Sequence, residues 1–240
     1  MDPNFSPELY STGAWVWENL GKELVSGTLV TLGDHAKKQW GKFKWPLAAK
    51  KYQKKMKDLY STMRMLGVPN PVPVEGIFTD LFILDKPTAF YRYDIETLRR
   101  EKTPYISYSG IDTRTTAIDL IKNTHKLFIL GKPGAGKTTL LKYITLLATN
   151  GGINKIPIFV SLNDWSESGL SLMDYIVRQF EICAFPEAIL FIKKVVLEKG
   201  KAIILFDGLD EVNENNDNRR KIVREMQEFI VMKEIQDATL

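Results

Sequence analysis

One short stretch constrains the fold of this 240-residue chain more than any other part. It reads Gly131, Lys132, Pro133, Gly134, Ala135, Gly136, Lys137 and Thr138, with Thr139 next. The stretch matches the pattern G-x-x-x-x-G-K-[ST] at every fixed position. An apolar run, Leu127 to Leu130, precedes it, and an apolar segment from Lys137 to Ala148 follows. The sequence therefore predicts a buried strand, a glycine-rich turn and a helix in succession.

The chemistry of such a turn explains why each residue type is needed. The backbone N–H groups must close around a polyphosphate, so glycines stand where side chains would obstruct the approach. The helix that follows presents its positive end to an anion. Lys137 adds a charge at the β- and γ-phosphates, Thr138 offers a hydroxyl to Mg²⁺, and Thr139 extends the first turn. We therefore predict that residues 131–139 bind a nucleotide.

A second pattern lies after the apolar strand predicted from Ala202 to Phe206. Asp207 follows this strand directly, where a carboxylate is well placed to bind Mg²⁺ beside a phosphate loop. Gly208 comes next, and Asp210 and Glu211 are the candidates for orienting or activating a water molecule. The alternative is that these two acids only cap or hydrate the next loop. If one of them is catalytic, the sequence does not decide between Asp210 and Glu211.

Apolar strands and helices alternate along the second half of the chain. We predict strands at 157–162 and 202–206, and helices at 116–123, 137–148, 171–181, 186–199 and 219–236. This alternation is typical of a parallel sheet covered by helices on both faces. The predicted fold class is therefore α/β, a P-loop NTPase fold, preceded by a small all-α domain.

The N-terminal part is strongly basic. Residues 35–66 contain ten Lys and Arg side chains and one acid, Asp58. Within it, apolar residues recur at helical spacing from 48 to 66, with lysines on the opposite face. We favour the solvated face of a helical bundle with the aromatic residues in its core. Contact with a nucleic acid or an anionic membrane is the alternative.

A proline-rich segment separates the basic N-terminal part from the rest of the chain. Three prolines at alternate positions, from Pro69 to Pro73, cannot lie inside a helix. We therefore predict a basic helical domain at 1–68, a linker and extended arm at 69–115, with a strand or arm at 77–84, and an NTPase domain at 116–240.

Composition excludes several classes of protein. The charged fraction of 26% and the apolar fraction of 44% are ordinary for a globular chain, which excludes whole-chain disorder, collagen and a coiled-coil rod. One cysteine, Cys183, cannot form an internal disulfide or a multi-cysteine metal site. The first nine residues lack the basic start and apolar core of a signal peptide, and no segment predicts a membrane span. We expect a cytoplasmic location.

The segments GKPGAGKTT and LFDGLDE together resemble the NACHT family of signal-transduction NTPases. The family trait is a small residue after the metal-binding acid, with further acids beyond it, and Gly208, Asp210 and Glu211 match it. The strand region IPIFVSLNDW is also similar, and the resemblance covers about residues 77–240. It implies a switch that binds ATP or GTP with Mg²⁺, self-associates through the NTPase domain and signals through its N-terminal domain. In bacteria the output is often defence against phage.

The resemblance also implies how much of the NTPase domain the sequence contains. The chain ends at Leu240, before the next strand and the subdomains that follow it in the family. We expect an N-terminal fragment or a truncated gene product with an incomplete sheet, which binds nucleotide and whose hydrolysis stays open. The alternative is an adaptor in which nucleotide only stabilises the fold while the N-terminal domain binds a partner.

Overall fold

The computed structural model describes residues 42–65, 67–78, 82–83, 115–124, 126–181, 184, 189, 192–193, 200–212 and 218–237. Contacts divide the chain into two units, residues 1–77 with 141–240, and residues 78–140. The start of the predicted N-terminal domain, Cys183 and most of the predicted helix at 186–199 lie outside the described residues.

Seven helices and six strands are described. In chain order they are α1 (Trp45–Tyr60), β1 (Thr62–Met63), β2 (Val72–Pro73), α2 (Val74–Ile77), β3 (Phe82–Ile83), β4 (Thr115–Thr116), α3 (Ala117–Asn123), α4 (Lys137–Thr149), β5 (Ile156–Ser161), α5 (Leu162–Ser168), α6 (Leu172–Phe180), β6 (Ala202–Asp207) and α7 (Asn218–Asp237).

The centre of the first unit is a parallel pair of strands. β5 and β6 lie in register, with Ile156 opposite Ala202 and Ser161 opposite Asp207. Five consecutive residues of β5, from Ile156 to Val160, are buried. Because successive side chains of a strand point to opposite faces, both faces of β5 are covered. The α/β prediction is confirmed in this form, a small parallel sheet packed among helices.

Short side-chain caps set where three helices begin. Ser161, Ser171 and Thr116 precede α5, α6 and α3, and each side-chain oxygen accepts a hydrogen bond from the backbone N–H three residues later. An aspartate occupies that third position in every case. Such caps satisfy N–H groups that a helix leaves without a partner. Ser161 thus ends β5 and starts α5, a helix that the sequence analysis did not predict.

Helix α1 packs into the same core as the sheet. Tyr52 and Met56 are buried and belong to one apolar cluster with Ile158 of β5 and Phe180 of α6. The apolar face predicted from 48 to 66 is confirmed at Tyr52 and Met56 only, because Leu59 is 53% exposed and the helix ends at Tyr60, with Met63 in β1. The boundary at residue 68 was inferred from proline punctuation and stays a prediction.

The predicted strand from Leu127 to Leu130 is wrong. These residues have no regular structure, and the side chains of Phe128 and Leu130 are 75% and 71% exposed. Apolar composition over four residues does not supply a hydrogen-bonding partner, and a strand exists only in a ladder. Among the described residues of 78–140, β3 pairs with β4 in antiparallel orientation.

Within the predicted arm at 77–84, the described residues are 77–78 and 82–83. Helix α2 ends at Ile77, and β3 contains Phe82–Ile83. Within the described part of the chain, no helix is both long enough and apolar enough to cross a membrane.

Candidate functional site

The glycine-rich loop of the second unit has a backbone that only glycine adopts easily. Gly134 and Gly136 have φ angles of +77° and +83°, in the left-handed region where a Cβ is penalised. A Cβ on Gly131 would lie 3.2 Å from the Cβ of Ala135. The backbone N–H of Ala135 also donates to the carbonyl of Lys132, at 3.1 Å. The loop is thus a tight turn whose inner side is backbone.

Lys137 lies across this loop at the start of α4. Its Nζ donates to the carbonyl oxygens of Gly131 at 2.9 Å and Lys132 at 3.3 Å. The hydrogen bond from the N–H of Leu140 to the carbonyl of Gly136 starts the helical ladder. An ammonium group, a helix N-terminus and the loop backbone therefore meet at one place.

These features fit a polyphosphate. The positive end of a helix and backbone N–H groups are a general anion site, and the first turn of α4 carries no acidic residue. Residues 131–135 are exposed, so a ligand can reach the loop from solvent. The carbonyl groups that now accept from Lys137 are weaker acceptors than a phosphate, because hydrogen bonds to an ionised acceptor are stronger.

The acidic end of β6 belongs to the first unit. Asp207 is the last residue of β6, and its register partner Ser161 is the last residue of β5. The carboxyl ends of parallel strands lie at one edge, which is where open α/β sheets bind ligands. Asp207 is half-buried at this edge, in the position expected of a carboxylate that binds Mg²⁺.

A tight turn follows Asp207 and distinguishes the two remaining acids. The N–H of Glu211 donates to the carbonyl of Gly208 at 3.1 Å, and Gly208 has a φ of +81°. A Cβ on Gly208 would lie 3.0 Å from Oε2 of Glu211. The Glu211 carboxylate is thus folded back over Gly208, and Asp210 is exposed at the tip of the turn. Buried Val212 anchors the end of this turn in the core.

The two halves of the predicted site fall in different units. Residues 131–139 lie in the unit of residues 78–140, and residues 207–211 lie in the other. The joint site of both halves is a proposal.

Within the basic stretch at 35–66, the described tyrosines pack against other aromatic rings. The Tyr52 ring stacks on Phe180 with ring centres 4.6 Å apart, and the Tyr60 ring lies 4.5 Å from that of Phe159. Lys50, Lys51 and Lys54 are exposed on the outside of α1. This agrees with our favoured interpretation of a solvated lysine face over core aromatic residues. Contact with a nucleic acid or a membrane stays an alternative.

Two polar residues of α1, Gln53 and Lys55, make long-range hydrogen bonds that the sequence did not predict. Gln53 and Lys55 donate to backbone carbonyls of Thr149 and Gln179, which lie 96 and 124 positions further along the chain. Both stand in the lysine-rich stretch, where a polar residue is expected to face solvent. No local pattern could have identified them, because their partners are so distant in sequence.

A glycine-rich phosphate loop that opens a helix, together with a parallel sheet whose strand ends in an aspartate, defines a P-loop NTPase. Residues 125–239 match the family model of the NACHT domain. This part of the chain is a NACHT-family P-loop NTPase domain, and the resemblance inferred from the sequence is confirmed. The family binds and hydrolyses nucleotides in signalling. No curated protein and no solved structure matches the chain significantly.

Proposed function

We propose that this chain binds ATP together with Mg²⁺ through its phosphate loop and uses the bound nucleotide as a molecular switch in signalling. The observation that carries this proposal is the position of Lys137. Its ammonium group bonds to the carbonyls of Gly131 and Lys132, inside a turn that two left-handed glycines close. A triphosphate supplies stronger, ionised acceptors for the same ammonium group and for the N–H groups at the start of α4.

Each residue then has a distinct role. The backbone of residues 131–136 surrounds the phosphates, and Lys137 pairs with their charge. Thr138 and Asp207 supply oxygen ligands for Mg²⁺, the atoms that this hard cation prefers. When bound, Mg²⁺ neutralises charge on the phosphate oxygens. Asp210 and Glu211 orient or activate a water molecule, and Thr139 continues the first turn of α4.

The finer features of the function follow from the family. We propose slow hydrolysis, self-association through the NTPase domain and an output delivered by the N-terminal part, with defence against phage as a candidate pathway. GTP is the alternative nucleotide. The location that we expect for such a switch is the cytoplasm.

Calorimetric titration of the full chain with MgATP tests the proposal. Lys137→Ala should weaken binding by about 10- to 100-fold, because it removes a charge-assisted hydrogen bond. Lys122→Ala is the matched control, since Lys122 is exposed on α3, outside the motif, and it should stay within about twofold of the wild type. Unchanged affinity in Lys137→Ala would overturn the proposal.

A second variant distinguishes the proposed nucleotide switch from an adaptor whose fold the nucleotide only stabilises. Asp210→Ala combined with Glu211→Ala should retain MgATP binding and lose hydrolysis. If signalling in cells persists when hydrolysis is lost, nucleotide acts only as a stabilising ligand and the adaptor interpretation is supported.

A further inference from the structure

Helix α4 ends in a cap that is built around one glycine. The N–H of Gly152 donates to the carbonyl of Leu147 at 2.8 Å, and the N–H of Gly151 donates to the carbonyl of Ala148 at 3.1 Å. Gly151 has a φ of +87°. This pair of bonds around a left-handed residue is the Schellman motif, which satisfies carbonyls that a helix leaves without partners. The fold therefore favours glycine at position 151.

The residue before this glycine, Asn150, is enclosed by the core. It is only 6% exposed, and its backbone N–H donates to the carbonyl of Leu146 at 2.8 Å. Within the part of the chain that the structure describes, its side-chain oxygen Oδ1 is buried and accepts no hydrogen bond. A buried acceptor without a donor costs free energy. Burial of Asn150 therefore opposes the closed state of the cap.

The pair formed by Asn150 and Gly151 is also chemically labile. Asparagine deamidates most readily before glycine, because glycine has no Cβ to obstruct the reaction. Asn150 is the only asparagine of the 240 residues that precedes a glycine. The cap thus requires glycine at the position that makes Asn150 most reactive.

Deamidation of Asn150 needs only water as a co-reactant. The nitrogen of Gly151 attacks Cγ of Asn150, so that an N–Cγ bond forms and the Cγ–Nδ2 bond breaks. Ammonia leaves with the proton of the Gly151 N–H, and a succinimide ring remains. Water then opens the ring at either carbonyl, which gives aspartate or isoaspartate at position 150.

The closed cap prevents both steps. The N–H of Gly151 is bonded to the carbonyl of Ala148, so the nitrogen cannot turn toward Cγ of Asn150. Burial of Asn150 also keeps out the water that the second step consumes. Both obstacles disappear when the end of the helix opens, and such local opening is more frequent than unfolding of the whole protein.

We propose that Asn150 is a deamidation site that the cap of α4 keeps closed, so that a permanent carboxylate at this position records the opening of the helix end. The product cannot close the cap as before. An aspartate places a negative charge at the C-terminal end of a helix and among buried groups, where it is unfavourable. An isoaspartate adds a methylene group to the backbone inside the motif. The modification therefore weakens the end of α4 irreversibly.

Peptide mass spectrometry of the full chain tests the site, with Asn154 as the internal control. Asn154 is exposed in the same loop and precedes Lys155 instead of a glycine. In denaturing urea, Asn150 should deamidate faster than Asn154. In the folded protein, the reaction of Asn150 should be slower by at least about tenfold, whereas that of Asn154 should change less. Equal rates at Asn150 in folded and denatured chains overturn the gate. A denatured chain in which Asn150 reacts no faster than Asn154 overturns the site.

Hydrogen exchange identifies the opening that permits the reaction. The same event frees the Gly151 N–H for exchange and for attack on Asn150. The factor by which folding slows exchange of this amide should therefore match, within about threefold, the factor by which folding slows deamidation. Urea below the denaturing concentration should accelerate both processes in parallel. Deamidation that responds to urea differently from the Gly151 amide contradicts the role of the cap.

Two variants measure the effect of the product on stability. Asn150→Asp introduces the carboxylate from the start and should lower the melting temperature by about 2–8 °C. Asn150→Ala removes both the reactive amide and the unpartnered oxygen, and it should melt within about 2 °C of the wild type. Equal melting temperatures of the two variants would overturn the proposed weakening of the helix end by charge.

Discussion

The Glu211 carboxylate folds over Gly208 so closely that a Cβ on the glycine would lie 3.0 Å from Oε2 of Glu211. Gly208 is favoured by its left-handed backbone, and a methyl group at this position would make the exposed Glu211 side chain move. Glu211 lies in the turn that follows Asp207, the last residue of β6, and its N–H donates to the carbonyl of Gly208. The left-handed backbone gives a physical reason for a glycine directly after Asp207.

Gly208→Ala should destabilise the protein and disturb hydrolysis together. The left-handed φ costs about 1–2 kcal/mol for alanine, and the new methyl group displaces the Glu211 carboxylate. We expect ATP hydrolysis to fall about tenfold or more. Gly169→Ala is the control, since Gly169 has a φ of +69° with no atom within 4 Å of an added Cβ. Equal hydrolysis rates in the two variants, after correction for the folded fraction, would contradict the role of Glu211.

Asp207→Asn should separate nucleotide binding from metal binding. The substitution keeps the shape at the end of β6 but removes the charge that attracts Mg²⁺. We expect wild-type affinity for ATP in the presence of a chelator and loss of the increase that Mg²⁺ produces, by about tenfold. Titration of both proteins with and without Mg²⁺ measures this. If Mg²⁺ strengthens binding equally in both proteins, the metal is held elsewhere.

Tyr52→Phe should weaken the link between α1 and the sheet without opening the core. The ring can still stack on Phe180, but the carbonyl of Pro157 loses its donor in a buried place. We expect a loss of about 1–2 kcal/mol in the free energy of unfolding, measured by urea denaturation. Lys54→Ala, on the exposed side of the same helix, should change it by less than about 0.5 kcal/mol. An effect of Tyr52→Phe as small as that of the control would show that the hydroxyl bond contributes nothing.

Alkaline pH should destabilise the protein partly through Tyr60. Burial beside Phe159 raises the pKa of the Tyr60 hydroxyl above its ordinary value, and nearby Tyr175 and Asp164 act in the same direction. A group with a raised pKa in the folded state contributes its stability below the unfolded pKa, about 10, and loses it as the pH rises further. Denaturation from pH 8 to 11 should therefore show a steeper decline in the wild type than in Tyr60→Phe. Parallel curves would mean that Tyr60 is accessible to ionisation in the folded protein.

The sequence predicted the elements of the sheet well because their signals are local. The predicted strands at 157–162 and 202–206 differ by one residue at their ends from β5 and β6. A continuous apolar run flanked by polar turns marks a buried strand wherever its partner lies. The glycine-rich loop could be predicted equally well, because its glycines and its lysine form one contiguous sequence motif.

The errors and omissions share a different cause. Helix α5 was missed because seven residues carry no clear apolar period, although Ser161 and Asp164 form a recognisable cap. The run from Leu127 to Leu130 was assigned to a strand because its apolar character was visible and its lack of a ladder partner was not. The contact of Tyr52 with Pro157 could not be predicted either, since it joins residues 105 positions apart.

The distance in sequence between Tyr52 and Pro157 also determines when the two residues can meet during synthesis. Tyr52 leaves the ribosome before Pro157 has been made, 105 residues later. At about 5–20 residues per second, the buried side of α1 waits about 5–20 s for its partner. During this interval Tyr52 and Met56 have no sheet to cover them, and the nascent chain passes through a stage that is open to aggregation or to chaperones. The apolar side of α1 is therefore exposed to non-native contacts until β5 has been made.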